Sequence, residues 1–163
     1  MSDHSPVTAE DKIQIHELIA RYAWSFDTGD ADGFVACFAK DAVLCEDVFE
    51  EVDRWVGHDE IRAMAKHFFD MPPFAGRQHH ATNILIEGTS EQCRVRAFCF
   101  VIDATGLNQP CAVPFAGHYD DLVIKVDGAW VFKERLVRHW SGPALGKFPG
   151  QDGAKVARKR PTG

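Results

Sequence analysis

The sequence predicts an α+β fold in which three N-terminal helices pack on one face of a strongly curved, mainly antiparallel sheet. Three observations predict it. Apolar residues recur at helical spacing up to about residue 69, whereas after Gly76 the chain turns to four long β-type runs. Asp127-Gly128 between the last two runs is a two-residue hairpin signal. Helices followed by a meander of strands place the helices on one side of the sheet, and a curved sheet covered in this way encloses a cavity.

Thr8-Ala9-Glu10-Asp11 reads as a capping box, after which Ile15, Leu18, Ile19, Tyr22 and Phe26 form one face of a helix of about five turns. Gly29 is placed to end it, and Asp30 to cap a short second helix carrying Phe34 and Phe38. "DAVLCEDVF" reads as a strand. Residues 59–69, with Ile61, Met64, Ala65 and Phe68 on one side, read as a third helix stopped by Met71-Pro72-Pro73. The strands are expected at 78–87, 92–103, 112–126 and 129–140.

The chain of 163 residues is the size of one domain. Residues 1–8 read as an arm, 9–141 as the domain, and 142–163 as a Gly-rich tail holding the one basic cluster, "KVARKR", and placed to cover a pocket or a neighbouring subunit. The net charge of −6 argues against a nucleic-acid partner, and no apolar run reaches the roughly 18 residues of a membrane span. The N-terminus shows no export signal, so a cytoplasmic location is expected. The five cysteines contain no CxxC pair and read as free thiols.

Several polar residues stand where the pattern expects core. Asp27 ends the first helix, where the helix dipole disfavours a carboxylate, so it is either a solvated turn residue or a group with a partner. His79 and His80 open the first long strand and point to opposite faces. By strand parity His79 goes with Ala81, Asn83 and Leu85, and His80 with Thr82, Ile84 and Ile86. Parity alone does not say which faces the cavity. Asp103, Tyr119, Arg135 and Arg138 are further candidates, either for the pocket or for cross-strand surface pairs. Trp24 and Trp140 are candidates to line an aromatic pocket, while Trp130 beside its hairpin reads as core. His79, His80, His118 and His139 lack a compact ligand spacing, so no metal is expected; no Walker loop, GxGxxG or GxSxG is present.

The stretches "IHELIARYAWSFDTGDADGFVACFAKDAVL", "GHDEIRAM", "HHATNILIEG" and "GHYDDLVIKVDGAWVFKERLV" together resemble the SnoaL-like branch of the nuclear transport factor 2-like superfamily, over residues 9–140. The resemblance implies a cystatin/nuclear transport factor 2-like cone, usually assembled as homodimers or homotrimers. Scytalone dehydratase, bile-acid 7α-dehydratase and hexachlorocyclohexane dehydrochlorinase, lyases of this branch, pair an aspartate near the end of the first helix with a histidine on the sheet. Asp27 matches that aspartate. His79, four residues before Asn83, matches that histidine. Tyr22, five residues before Asp27, matches a tyrosine of the bile-acid enzyme, whereas scytalone dehydratase carries its tyrosine where this chain has Phe26; Asp103 falls close to a second carboxylate of the bile-acid enzyme.

What the resemblance implies is therefore a cofactor-independent lyase with His79, Asp27 and Tyr22 as catalytic residues. Trp24, Asn83, Asp103, Tyr119, Arg138 and Trp140 form the expected substrate-binding set, and the substrate is a small apolar or aromatic molecule. Loss of water is the commonest such reaction among these relatives, and formaldehyde-releasing cleavage of lignin-derived aromatics needs the same base. Two other readings stay open: an isomerase or polyketide-type cyclase in the same pocket, and a non-catalytic ligand-binding or structural subunit like the β subunits of ring-hydroxylating dioxygenases.

Overall fold

The capping box forms as the sequence predicts and starts the first helix, α1 (Ala9–Thr28). The Thr8 hydroxyl accepts from the Asp11 amide, and Asp11 Oδ2 accepts from the Thr8 amide, each at 3.1 Å. Asp11 also accepts from Lys125 Nζ at 2.5 Å and from Trp130 Nε1 at 3.1 Å, so one buried carboxylate both caps the helix and ties it to the last hairpin. The stripe Ile15, Leu18, Ile19, Tyr22 and Phe26 is buried. Gly29 ends α1 with φ +76°, a conformation that glycine adopts without strain.

This computed structural model describes residues 5–104, 110–141, 148–150, 154, 157 and 159. Most of the expected tail lies outside them, as do Met1 to His4 of the expected arm. After α1 come α2 (Ala31–Ala36), β1 (Phe38–Asp47), β2 (Asp53–Val56), α3 (Gly57–Phe69), a 3-10 turn over Pro72–Phe74, and the four long strands β3 (Arg77–Gly88), β4 (Gln92–Asp103), β5 (Ala112–Val126) and β6 (Ala129–His139). They form one curved sheet in the order β2-β1-β6-β5-β4-β3. All neighbours run antiparallel except β1 and β6, which are parallel. The short strand β2, which the sequence pattern does not predict, completes the edge beside β1.

The hairpin between β5 and β6 turns at Asp127 and Gly128 with φ +50° and +82°, the pair of positive φ values that such a turn requires. The core lies between the inner sheet face and the helices, with Phe34, Phe132 and Trp130 among its largest members.

Two bulges change which side chains face inward. In β3 the register slips between Thr82 and Leu85, and Asn83 takes φ +52°. His79 and Ala81 stand opposite Val101 and Cys99, but beyond the bulge it is Ile86 that stands opposite Val95. The inner face of β3 is thus His79, Ala81, Ile84 and Ile86, while Leu85 is exposed. This corrects the simple parity that groups His79 with Leu85, because one extra residue at Asn83 reverses the alternation. In β6 the register slips at Lys133, so that Phe132 and Arg135 both point inward although they are three positions apart.

Candidate active site

Asp27 follows Phe26 in the last turn of α1, on the side that packs against β3. Its carboxylate is used twice by one residue: Oδ1 lies 2.5 Å from His79 Nδ1, and Oδ2 accepts the His79 backbone N–H at 2.7 Å. Both side chains are 14% exposed. The partner that the helix dipole calls for is therefore an imidazole and an amide fifty-two residues away. With Nδ1 turned to Asp27, Nε2 is the remaining ring nitrogen. The ring lies between Phe26, 5.2 Å away, and Phe74, 6.1 Å away.

A cavity of about 610 Å³ lies between the inner sheet face and the helices. Its wall is mostly apolar and aromatic, with Phe26, Trp55, Met64, Phe68, Phe74 and Phe115 among its members, and Tyr22, Tyr119 and His79 also reach it. Asp27 does not line this cavity. It lines a second hollow, between α1 and β3, which His79 shares. His79 is thus set in the wall between the two, with its orienting carboxylate behind it.

Beneath Tyr22 and Tyr119 lies Arg135, which is 1% exposed. Its guanidinium carbon stands 3.9 Å from the Tyr22 ring centre, 3.8 Å from that of Tyr119 and 4.4 Å from that of Phe132, close cation–π contacts. Nη1 is 3.6 Å from Asp121 Oδ2. Burial pushes the Asp121 carboxyl up to about 7, with Arg135 pulling the other way. Burial opposes the Arg135 charge, but Asp121, Tyr22, Tyr119 and Cys99 together outweigh it and the guanidinium stays protonated. Burial also pushes the Tyr22 and Tyr119 phenols up, against the pull of Arg135, so both remain hydrogen-bond donors. The Cys99 thiol beside them is pushed up to about 12 by burial and is not a nucleophile.

The structure brings Tyr22, Tyr119 and His79 to one cavity, with Asp27 against His79. It does not bring the rest of the expected binding set to that wall. Trp24 is 72% exposed, because two residues from Tyr22 is the far side of a helix. Asn83 is spent on the bulge, where the Thr82 hydroxyl bonds its side chain. Asp103 ends β4 opposite Arg77. Arg138 lies on the outer face, its Nε 3.3 Å from Asp47 Oδ2, and Trp140 packs there against Phe98 and His118. His80 stacks on Phe100 of the same outer face, with ring centres 5.0 Å apart.

Glu46, Asp53, His67 and Arg77 line the cavity and are absent from the expected set. For Glu46 a signal exists: it continues the inward alternation of Ala42 and Leu44 that ends at Val48. Among the described residues no group of three His, Cys, Asp or Glu side chains is placed to hold a metal ion, and no described helix is long and apolar enough to cross a membrane.

The fold is shared with solved structures. A cystatin-like protein of unknown function from Nostoc punctiforme is 26% identical, with 89% of this chain and 96% of that one covered and a TM-score of 0.70. A candidate scytalone dehydratase from Novosphingobium aromaticivorans is 24% identical over 80% of this chain and 84% of its own, with a TM-score of 0.66. A nuclear transport factor 2-like protein from the same organism is 20% identical over 83% and 86%, with a TM-score of 0.69. No curated protein matches the chain. The family model described as a SnoaL-like domain, a fold found in polyketide cyclases and dehydratases, matches residues 7–136. That match runs from the cap of α1 into β6 and takes in both Asp27 and His79, and the chain belongs to the SnoaL-like domain family.

Proposed function

We propose that this protein is a cofactor-independent lyase that eliminates water from a small apolar or aromatic molecule held in the 610 Å³ cavity. The observation that carries the reading is the double hold of Asp27 on His79. A carboxylate fixed on Nδ1 sets the tautomer and stabilises the imidazolium, so that Nε2 acts as the base. His79 takes a proton from carbon, the C–H electron pair becomes the new double bond, and a hydroxyl on the adjacent carbon departs with its own electron pair. The same imidazolium returns the proton to that hydroxyl, which leaves as water. Tyr22, kept protonated by burial, donates a hydrogen bond to the carbonyl or departing oxygen. Tyr119 of β5 serves as a second donor.

General acid–base catalysis of this kind supplies about 10²–10⁴-fold. The apolar walls support the reading, because charge interactions with a developing oxyanion are poorly screened there. A dehydratase is also the activity named for the Novosphingobium neighbour. The experiment is a screen of β-hydroxy carbonyl compounds and aryl diols with mass detection of products. Loss of water supports the proposal; formaldehyde release redirects the same base to carbon–carbon cleavage, and conversion without a change of mass indicates isomerisation.

A further inference from the structure

We infer that the molecule this cavity accepts carries a carboxylate and that Arg77 binds it; the inference rests on the lyase reading above and names the substrate class of that same site. Arg77 opens β3 two residues before His79, so the two side chains leave the strand on the same face, about 7 Å apart. Both line the 610 Å³ cavity. Phe74 supports both: the Arg77 guanidinium carbon stands 5.1 Å from its ring centre, and the His79 ring centre 6.1 Å. Packing on the face of Phe74 orients the planar guanidinium and leaves the N–H groups at its edge to hydrogen-bond. Asp103 stands opposite Arg77 on β4, and five donors are enough for a neighbour in the protein and a bidentate carboxylate together.

The charges of the wall select an anion and set its direction. Besides His79, the basic side chains that line the cavity among the described residues are His67 on α3, Arg77, and the exposed Lys159; of these, Arg77 alone shares the strand of the base. At the opposite edge of the sheet, Glu46 of β1 and Asp53 of β2 are cross-strand partners, and both line the cavity. An anion is therefore drawn to the β3 edge and repelled from the β1–β2 edge, in an apolar space that screens neither interaction well. A carboxylate held on Arg77 by N–H···O bonds of about 2.8 Å brings the carbon next to it within reach of His79 Nε2. As His79 takes the proton from that carbon, the C–H electron pair spreads onto the carboxylate oxygens, where the guanidinium stabilises the added charge until the neighbouring hydroxyl departs. The aromatic wall takes the apolar remainder, so the substrate class is an aryl or alkyl β-hydroxy carboxylate.

Calorimetric titration of the full chain with trans-cinnamate, the kind of unsaturated acid that loss of water from an aryl β-hydroxy acid leaves, and with its uncharged counterpart cinnamamide tests this without turnover. The wild type should bind cinnamate about tenfold more tightly than cinnamamide, or better. Arg77→Gln, with an unchanged circular dichroism spectrum, should remove that preference and leave cinnamamide binding where it was. Arg77→Lys, which keeps the charge and loses the fork, should retain part of it. Equal binding of the two probes by the wild type, no binding of cinnamate at about 10 mM, or a preference that survives Arg77→Gln overturns the inference. A carboxylate preference with no loss of water from any compound of the elimination screen would overturn the lyase reading and leave the carboxylate site standing, whereas loss of water with no such preference would overturn this inference alone.

Discussion

Asp27 and His79 are joined at both ends of one carboxylate, Oδ1 on the imidazole and Oδ2 on the backbone amide of the same residue. The two bonds fix the ring and the strand that carries it with a single side chain, so a change at Asp27 reaches the position of His79 as well as its charge.

Asp27→Ala is therefore expected to lower stability by about 1–2 kcal/mol, since it leaves an amide and a ring nitrogen without their acceptor. Turnover should fall by about 10²-fold or more, and Asp27→Ala combined with His79→Ala should cost little beyond His79→Ala alone. Additive losses in the double variant would show that the two residues act separately.

Asn83 takes φ +52°, where asparagine and glycine are the best tolerated residues. Asn83→Gly should leave both stability and turnover unchanged, and Asn83→Val should cost about 1–2 kcal/mol in urea unfolding. A correctly folded Asn83→Gly with turnover reduced by about tenfold would instead place the Asn83 side chain against the substrate.

Asp121 carries a pH signature. Its carboxyl titrates at 3.8 when unfolded and is pushed up to about 7 by burial in the fold. The native state holds that proton more tightly, so the contribution is fully present below 3.8 and is lost as pH rises towards about 7. The urea midpoint of the wild type should fall relative to that of Asp121→Asn across this window. A constant difference would mean that Arg135 keeps the carboxylate ionised throughout.

Asp11 has the opposite sign. The Lys125 hydrogen bond, followed by that of Thr8, holds its carboxyl below the usual 3.8 in spite of burial. Its contribution is full above 3.8 and declines as pH falls below that value. Asp11→Ala should cost about 1–2 kcal/mol near neutral pH through the lost cap and hydrogen bonds. The melting temperatures of wild type and variant should converge in acid, and a gap that persists to the lowest pH would contradict this.

The helices, the four long strands and the Asp127-Gly128 turn are legible in the sequence because each rests on local chemistry: a capping box, a periodicity, two positive-φ residues; the second helix is shorter than its spacing suggests, ending at Ala36, so that Phe38 opens β1 instead. Resemblance ranks His79 above His80, which strand parity does not. What the sequence hides depends on single inserted residues. The bulge at Asn83 reverses the faces of Ile84 and Leu85, and the one at Lys133 turns Arg135 under the tyrosines; neither is marked by glycine or proline. Trp24 is a different case, since helical spacing alone sets it opposite Tyr22 and Phe26. β2 has only four residues, and its place follows from pairing with β1 rather than from its own pattern.

Whether His79 is a base held by Asp27 is decided by comparing wild type and His79→Ala on the substrate found by the elimination screen. The variant, folded as judged by circular dichroism, should lose about 10²–10⁴-fold in kcat while water loss by the wild type is readily detected. A folded His79→Ala that turns over at the wild-type rate would show that His79 is not the base.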